Sequence, residues 1–476
     1  MRRLAIIGVL SAYLLGGAPL AAMADEKTEK ALEERIQKLE KMVEALTMHE
    51  AKEAKEEGKE KDKEKAKETK DGEKPPAYTF SGAGGGKSIY AKPFVSAPKA
   101  TVGGYMDLHY RSFNSSNSTG PGQPGTGSSS SFDQQRFVPF FYSDITDRLK
   151  VAAELEVEHG IRSKSNTGSG IEVSLEFATI DYLINDKINF RAGIILLPVG
   201  KFNLLHDSPL NDLSDRPLVA TAIIPSTLSE TGAGFYGTFY PTRLSKLDYE
   251  LYVTQGFNGY NGTTPLITAA SGLRDARQRV STADDGLDNN NGKAVVGRVA
   301  FSPMLGIEVG GSGYFGSYDP ASRRPLSITA VDWTLQRGPF ELIGEAAWTY
   351  ARDNHRNLNG TFAFDTSAGV PAGTLLPRRS DGYYVQGNYH FMPQVLRRWA
   401  PTYFTEASTF TAVARWDDVN TNSELSVTRR ERLTLGLNFR PVEDTVFKLD
   451  YQFNFEDGRN NRTRNDGLVF SVATYF

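Results

Sequence analysis

The residues best suited to do chemistry in this chain are cations that fall on alternate positions of apolar segments: Lys150, Arg191, Arg298, Arg415, Arg440 and Lys448. A charge at every second position belongs to one face of a strand, and cations gathered around an aqueous passage attract and pass anions without covalent chemistry. Lys201, His206 and Arg216 add to them from the stretch between Pro198 and Glu230. The same faces carry acids, namely Glu154, Glu156, Glu158, Glu176, Asp332 and Glu345. Each cation therefore has two open roles, as a salt-bridged wall residue or as a contact for a passing solute.

Other chemistries lack their parts. Ser81 to Ser88 ends in Gly-Lys-Ser like a phosphate-binding loop, but Ser81 stands where the first glycine is needed and no apolar strand precedes it. A Gly-rich linker is the reading that remains. His109, His159, His206, His355 and His390 are scattered, and no Gly-x-Ser-x-Gly turn supplies a nucleophile, so no hydrolase is expected. Cysteine is absent, which excludes disulfide scaffolds and thiolate metal sites. Asp284-Asp285-Gly286-Leu287-Asp288 misses the order of a calcium loop, and no cofactor or metal is expected. The formal net charge of −3 does not call for nucleic acid.

The elements that must position the alternating cations are strands. Leu149, Val151, Ala153, Leu155 and Val157 form an oily face against Lys150, Ala152, Glu154, Glu156 and Glu158. The pattern recurs, with segments starting near residues 101, 134, 147, 171, 187, 231, 247, 293, 305, 326, 339, 381, 406, 430, 446 and 467. An even set of about 16 such segments fits an up-and-down transmembrane sheet, whose strands need only about 9 to 11 residues. Connections after even segments are short, as at Asn185-Asp186-Lys187. Those after odd segments are mostly long and polar, as from Asn114 to Ser131, Pro198 to Glu230, Phe257 to Gly292 and Arg352 to Asp381. Regular alternation of turn and loop predicts two different ends, periplasmic and external. Tyr105, Tyr110, Trp333, Trp348, Tyr389, Trp416, Tyr451 and Phe476 are expected at the interfacial aromatic belts.

Before residue 100 the composition changes three times. Residues 1–24 read as a signal peptide, with Arg2 and Arg3 ahead of an apolar stretch and Ala22-Met23-Ala24 at the cleavage site. In residues 25–50, Leu32, Ile36, Leu39, Val43 and Leu46 are spaced as a coiled-coil seam, which pairs with other copies. Residues 51–99 form a charged and then Gly-rich linker, and residues 100–476 the barrel.

Gly104-Tyr105-Met106-Asp107, Phe190-Arg191-Ala192-Gly193, Leu197-Pro198-Val199-Gly200-Lys201, Gln255-Gly256-Phe257-Asn258-Gly259, Asn291 to Arg298 and Asp381-Gly382-Tyr383-Tyr384-Val385-Gln386 resemble, in this order, the phosphate-selective porins O and P and their wider relatives. The resemblance covers about Val102 to Phe476. It implies a bacterial outer-membrane trimer of 16-stranded channels, each narrowed by a third external loop folded inward, here Pro198 to Glu230. The sequence departs from a phosphate path, since that loop carries Asp207, Asp212, Asp215 and Glu230 beside its few cations. Arg274, Arg277 and Arg279 lie in another external loop, suited to lipopolysaccharide phosphates or to solvent. The expectation is a passive channel for small polar or anionic solutes, embedded in outer-membrane lipid. A rival reading is a structural anchor whose coiled coil grips the cell wall while little passes through.

Overall fold

A computed structural model of the chain describes residues 99–113, 130–159, 172–277, 290–456 and 465–476. The described residues fall in one compact unit, Pro93–Phe476. The signal peptide, the coiled coil and the linker up to residue 98 lie outside the described residues, as does the calcium-like stretch at 284–288.

Among the described residues sixteen strands form the barrel, apart from a short two-stranded ladder of Tyr260–Asn261 with Thr264–Pro265: β1 (Lys99–Phe113), β2 (Ser130–Asp144), β3 (Leu149–Glu158), β4 (Glu172–Asn185), β5 (Ile188–Leu196), β6 (Ser229–Phe239), β7 (Lys246–Thr254), β8 (Ala294–Met304), β9 (Ile307–Ser317), β10 (Pro325–Arg337), β11 (Phe340–Ala351), β12 (Arg379–Phe391), β13 (Thr409–Asn420), β14 (Arg429–Val442), β15 (Thr445–Glu456) and β16 (Gly467–Tyr475). Each pairs antiparallel with its neighbour in sequence, and β16 returns to β1 from Tyr105↔Tyr475 to Phe113↔Gly467, closing the cylinder. Closure leaves no sheet edge, the condition for a strand structure to exist in lipid, where an unpaired amide has no water to turn to.

The period of two sorts the faces. Val173, Leu175, Ile180, Tyr182, Leu251, Val253, Val295, Val299, Phe301, Leu435, Leu437, Phe447 and Leu449 are exposed on the outside. Asp107, Glu154, Glu156, Asp332, Glu345, Arg415, Lys448 and Asp450 are buried on the inside. An apolar band this wide is far beyond what a water-soluble monomer shows, and it is the surface of a transmembrane barrel.

Two local devices adjust the wall. Between β3 and β4 the register steps from Glu154↔Phe177 to Leu155↔Leu175, leaving Glu176 as the extra residue of a bulge. The outward positions then change from Val173 and Leu175 to Ile180, Tyr182 and Ile184, and Glu176 itself turns inward. On β10, Trp333 lies opposite Gly344 of β11, and its ring fills the space where a β-carbon would sit.

The belts differ from expectation at Tyr105, which is fully buried inside the wall because its position on β1 shares the inward face with Asp107 and His109. Rings instead run strand to strand as an arc. Phe340–Tyr389, Tyr389–Phe391, Phe391–Phe410, Phe410–Phe439 and Phe439–Phe447 centroids are 5.0, 5.6, 5.9, 4.7 and 6.5 Å apart. This arc crosses β11 to β15 at the end of the short turns. One connection at that end is long: 392–408, with α1 (Gln394–Trp399) inside it.

Candidate functional site in the barrel lumen

The 197–228 connection between β5 and β6 enters the barrel and is fastened to wall strands around its circumference. Near its start stands Gly200, whose φ of 74° lies in the left-handed region. A β-carbon there would stand 2.5 Å from Glu345 Oε1, so glycine lets the chain pass against β11. A single helical turn, Lys201–Leu204, follows, with the Phe202 amide donating to Glu345 Oε2 at 3.0 Å. Lys201 Nζ donates to Thr334 Oγ1 on β10 at 2.8 Å and lies 2.9 Å from Glu308 on β9.

Farther along, the loop meets the opposite part of the ring. Ser208 Oγ donates to Asp107 on β1 at 2.5 Å, and the Tyr475 hydroxyl of β16 donates to Asp207 at 2.8 Å. Asp212 accepts from Asn388 of β12 at 2.8 Å and lies 3.6 Å from Arg440 of β14. The Ser214 amide donates to Asp450 of β15 at 2.6 Å, and Leu218 N donates to Asp417 of β13 at 2.9 Å. Asp215 accepts from Arg111 of β1 at 2.6 and 3.0 Å and from Gln452 of β15 at 2.6 Å. Burial by itself would raise the Asp215 carboxyl, but Arg111, Arg432 and His109 outweigh it and hold the group well below the usual carboxylate range.

The sequence-selected cations divide into four groups. Arg415 and Lys448 are 2 % and 1 % exposed and hold loop carbonyls: Arg415 donates to Asp215 O at 3.0 Å, Lys448 to Ser208 O at 2.7 Å. Arg298 is buried against Asp332 at 2.6 Å, and His206, on the loop, is buried against Glu176 at 2.7 Å. Lys150, Arg191 and Lys201 keep 32, 28 and 26 % of their side chains exposed, beside Asp144, Asp181 and Glu308. Arg216 and Arg440 lie between these extremes. Among the acids, Glu156 and Glu158 both pair with Arg136 at 3.0 Å, Glu345 takes the loop amide, and Glu154 is buried with Oε1 unpartnered. Glu230, expected in the loop, is instead a buried wall residue of β6 that accepts from Thr254, Gly256 and Tyr314.

Arg111, Arg136 and Arg432 escaped the sequence reading although their period was visible. Asp107, His109 and Arg111 alternate on β1, and Arg432 precedes Thr434, Asn438 and Arg440 on the same face of β14. Arg111, Arg415 and Arg432 gather around Asp215 and Asp417, three cations for two carboxylates.

A second feature was not expected at all. Phe257, Tyr260, Ile267, Leu273 and Ala276, from the connection after β7, pack with Leu218, Val219, Ile223 and Ile224 of the 197–228 loop against inward Val296, Tyr314, Ile328, Ala330, Ala347 and Val419. Part of the lumen is therefore a dry core. The signal lay in β8 to β13, where inward positions such as Val296, Ile328 and Ala330 are as apolar as their outward neighbours, a mark of strands buried on both faces. Arg277, from the predicted lipopolysaccharide cluster, donates to Ser226 O at 2.5 Å, tying the two loops together; Arg279 lies outside the described residues.

The class defined by these observations is a closed sixteen-strand transmembrane barrel with a loop laid through its lumen. No family model matches the chain. It is 28% identical over 323 residues, 59% of this chain and 70% of the other, to a protein of Aquifex aeolicus (strain VF5) described as uncharacterized. Among solved structures it is similar to the outer membrane channel DcaP of Acinetobacter baumannii, at 12% identity over 80% of this chain and 98% of that one, with a TM-score of 0.47. An anion-selective porin from Comamonas acidovorans matches at 12% identity over 79 and 99%, TM-score 0.46, and Salmonella typhi OmpF with daunomycin at 12% over 80 and 98%, TM-score 0.47. The strand pairing itself, rather than these distant likenesses, establishes the architecture.

Proposed function

We propose that the chain is a bacterial outer-membrane porin through which small polar solutes, anions among them, diffuse passively, with the 197–228 loop as its constriction. The observation that carries this reading is a sixteen-strand cylinder, oily outside and polar inside, with an inserted loop fastened to both sides of its ring. A barrel of this size encloses more space than its own side chains fill, so the inserted loop decides what passes. The partly exposed Lys150, Arg191 and Lys201 favour anions, since charge in a narrow passage between low-dielectric walls is focused. Phosphate selectivity finds support only in the local phrases shared with the porins O and P. Trimeric assembly, the periplasmic coiled coil and contact with lipopolysaccharide belong to the same proposal.

The dry cluster supports a second reading, an anchor with a closed lumen and little transport. Single-channel recording of the refolded protein in planar bilayers separates the two. A channel gives stepwise conductance and, under a salt gradient, a reversal potential of anionic sign; a silent bilayer with correctly folded protein overturns the channel reading in favour of the anchor.

A further inference from the structure

Glu154, Glu176 and His206 lie under the inserted loop, each buried, with a ligating atom of each within 4.8 Å of the others. Glu154 projects inward from β3, Glu176 is turned inward by the β4 bulge, and His206 descends from the loop. Their hydrogen bonding is incomplete. Glu154 Oε1 and Glu176 Oε1 have no partner, although the residues are only 3 % and 0 % exposed. The neighbouring Arg136 is taken by Glu156 and Glu158, and Arg216 Nη2 comes only to 4.0 Å of Glu156. Glu176 is within hydrogen-bonding reach of both Glu154 and Glu156, so three buried carboxyl groups share one imidazole and the nearby Arg216 charge, an arrangement that needs either protons shared between carboxyls or a further positive charge.

The imidazole is also oriented as a ligand. His206 Nδ1 lies 2.9 Å from the Asn203 carbonyl, which can only accept, so Nδ1 carries the proton. In the neutral ring the Nε2 lone pair then points toward Glu176 Oε2, 2.7 Å away, and two acceptors face each other. Metal-bound histidines almost always donate their other ring N–H in this way, because that bond fixes the tautomer, so the His206 orientation is compatible with a ligand role.

We infer that Glu154, Glu176 and His206 bind one divalent transition-metal ion, with Zn²⁺ the best fit, and that the ion fastens the inserted loop to β3 and β4. One imidazole with two carboxylates suits Zn²⁺ and its first-row neighbours and disfavours Mg²⁺, which prefers all-oxygen, water-rich shells. Three protein ligands leave a position for water. The inference does not require that the barrel conducts.

Isothermal titration of ZnSO₄ into the full-length, EDTA-stripped protein, folded in detergent, tests it. The expected result is one saturable Zn²⁺ per chain, weakened at least tenfold in both Glu154→Gln and His206→Gln and unchanged in Glu158→Gln, whose carboxylate is paired with Arg136. Band migration before and after boiling reports whether each variant has folded. Should a variant fail to fold, Co²⁺ added to the wild-type protein gives the answer instead: a visible ligand-field band at one equivalent, abolished by Zn²⁺ and untouched by a hundredfold excess of Mg²⁺. Absence of saturable Zn²⁺ binding, equal binding by the Glu154→Gln variant, or displacement of Co²⁺ by Mg²⁺ would show instead that protons shared among the three side chains satisfy the site.

Discussion

At the scale of residues, the inserted loop is held by buried ionic contacts whose loss leaves charge behind. Asp215 is surrounded by Arg111, Arg432 and Gln452, so Asp215→Asn strands two arginines in the lumen wall. Breaking such a buried pair costs about 3–5 kcal/mol, and the variant is expected to lower the denaturant midpoint of the folded barrel in lipid vesicles. It also leaves the lumen more cationic, so its reversal potential should move toward anions; an unchanged potential would place Asp215 away from the ion path. The acid limb has a definite sign. Because the folded Asp215 lies below the ordinary carboxylate value, its contribution is complete above about pH 4 and fades only as the pH falls further toward the folded value. Channel noise should therefore stay flat between pH 8 and pH 5 if this tether governs loop motion.

At the scale of elements, the loop and the strand devices make separate predictions. Gly200→Ala drives a β-carbon into the Glu345 carboxylate at a positive φ, where strain costs about 1–3 kcal/mol. The loop should detach near β11 while the strands persist, giving unchanged strand content by circular dichroism with larger, noisier conductance. Excising residues 207–224 removes the contacts to β1 and β12 to β16 together, and conductance should rise several-fold; an unaltered conductance would mean that the loop does not form the constriction. In the aromatic arc, Phe410 touches Phe391, Phe404 and Phe439. Phe410→Ala should lower stability by about 1–3 kcal/mol in a urea titration, less than a full core truncation because one side of the ring faces lipid or solvent.

For the whole molecule, the question is whether cations on the wall select solute or merely support it. Arg191 and Arg298 differ usefully, one part-exposed beside Asp181 and the other buried on Asp332. Neutralising both as Gln should cut anion preference mainly through Arg191, while Arg298→Gln by itself should act through stability. The two single variants, compared by reversal potential and by resistance to boiling before electrophoresis, decide this. Loss of anion preference in Arg298→Gln with undiminished heat resistance would reverse the assignment.

The sequence by itself determined the cylinder. Its period of two and its alternation of turn and loop place all sixteen strand starts within about four residues of their positions, because lipid outside and polar groups inside impose opposite demands on successive side chains. The family resemblance pointed to the loop that enters the lumen, and the alternation picked out Glu176, Glu345, Arg415, Arg440 and Lys448 among the charges that meet it, but not Asp107, Arg111, Asp417, Arg432 or Asp450. Tertiary structure decided which charges are spent. Lys448 and Arg415 read as lumen cations but hold loop carbonyls, and the connection after β7 reads as an external polar loop but buries Phe257, Ile267 and Leu273 inside the barrel. The two cation–carbonyl bonds join residues 200 and 240 positions apart, and alternation along a strand reports which way a side chain faces, never what the chain brings back to meet it.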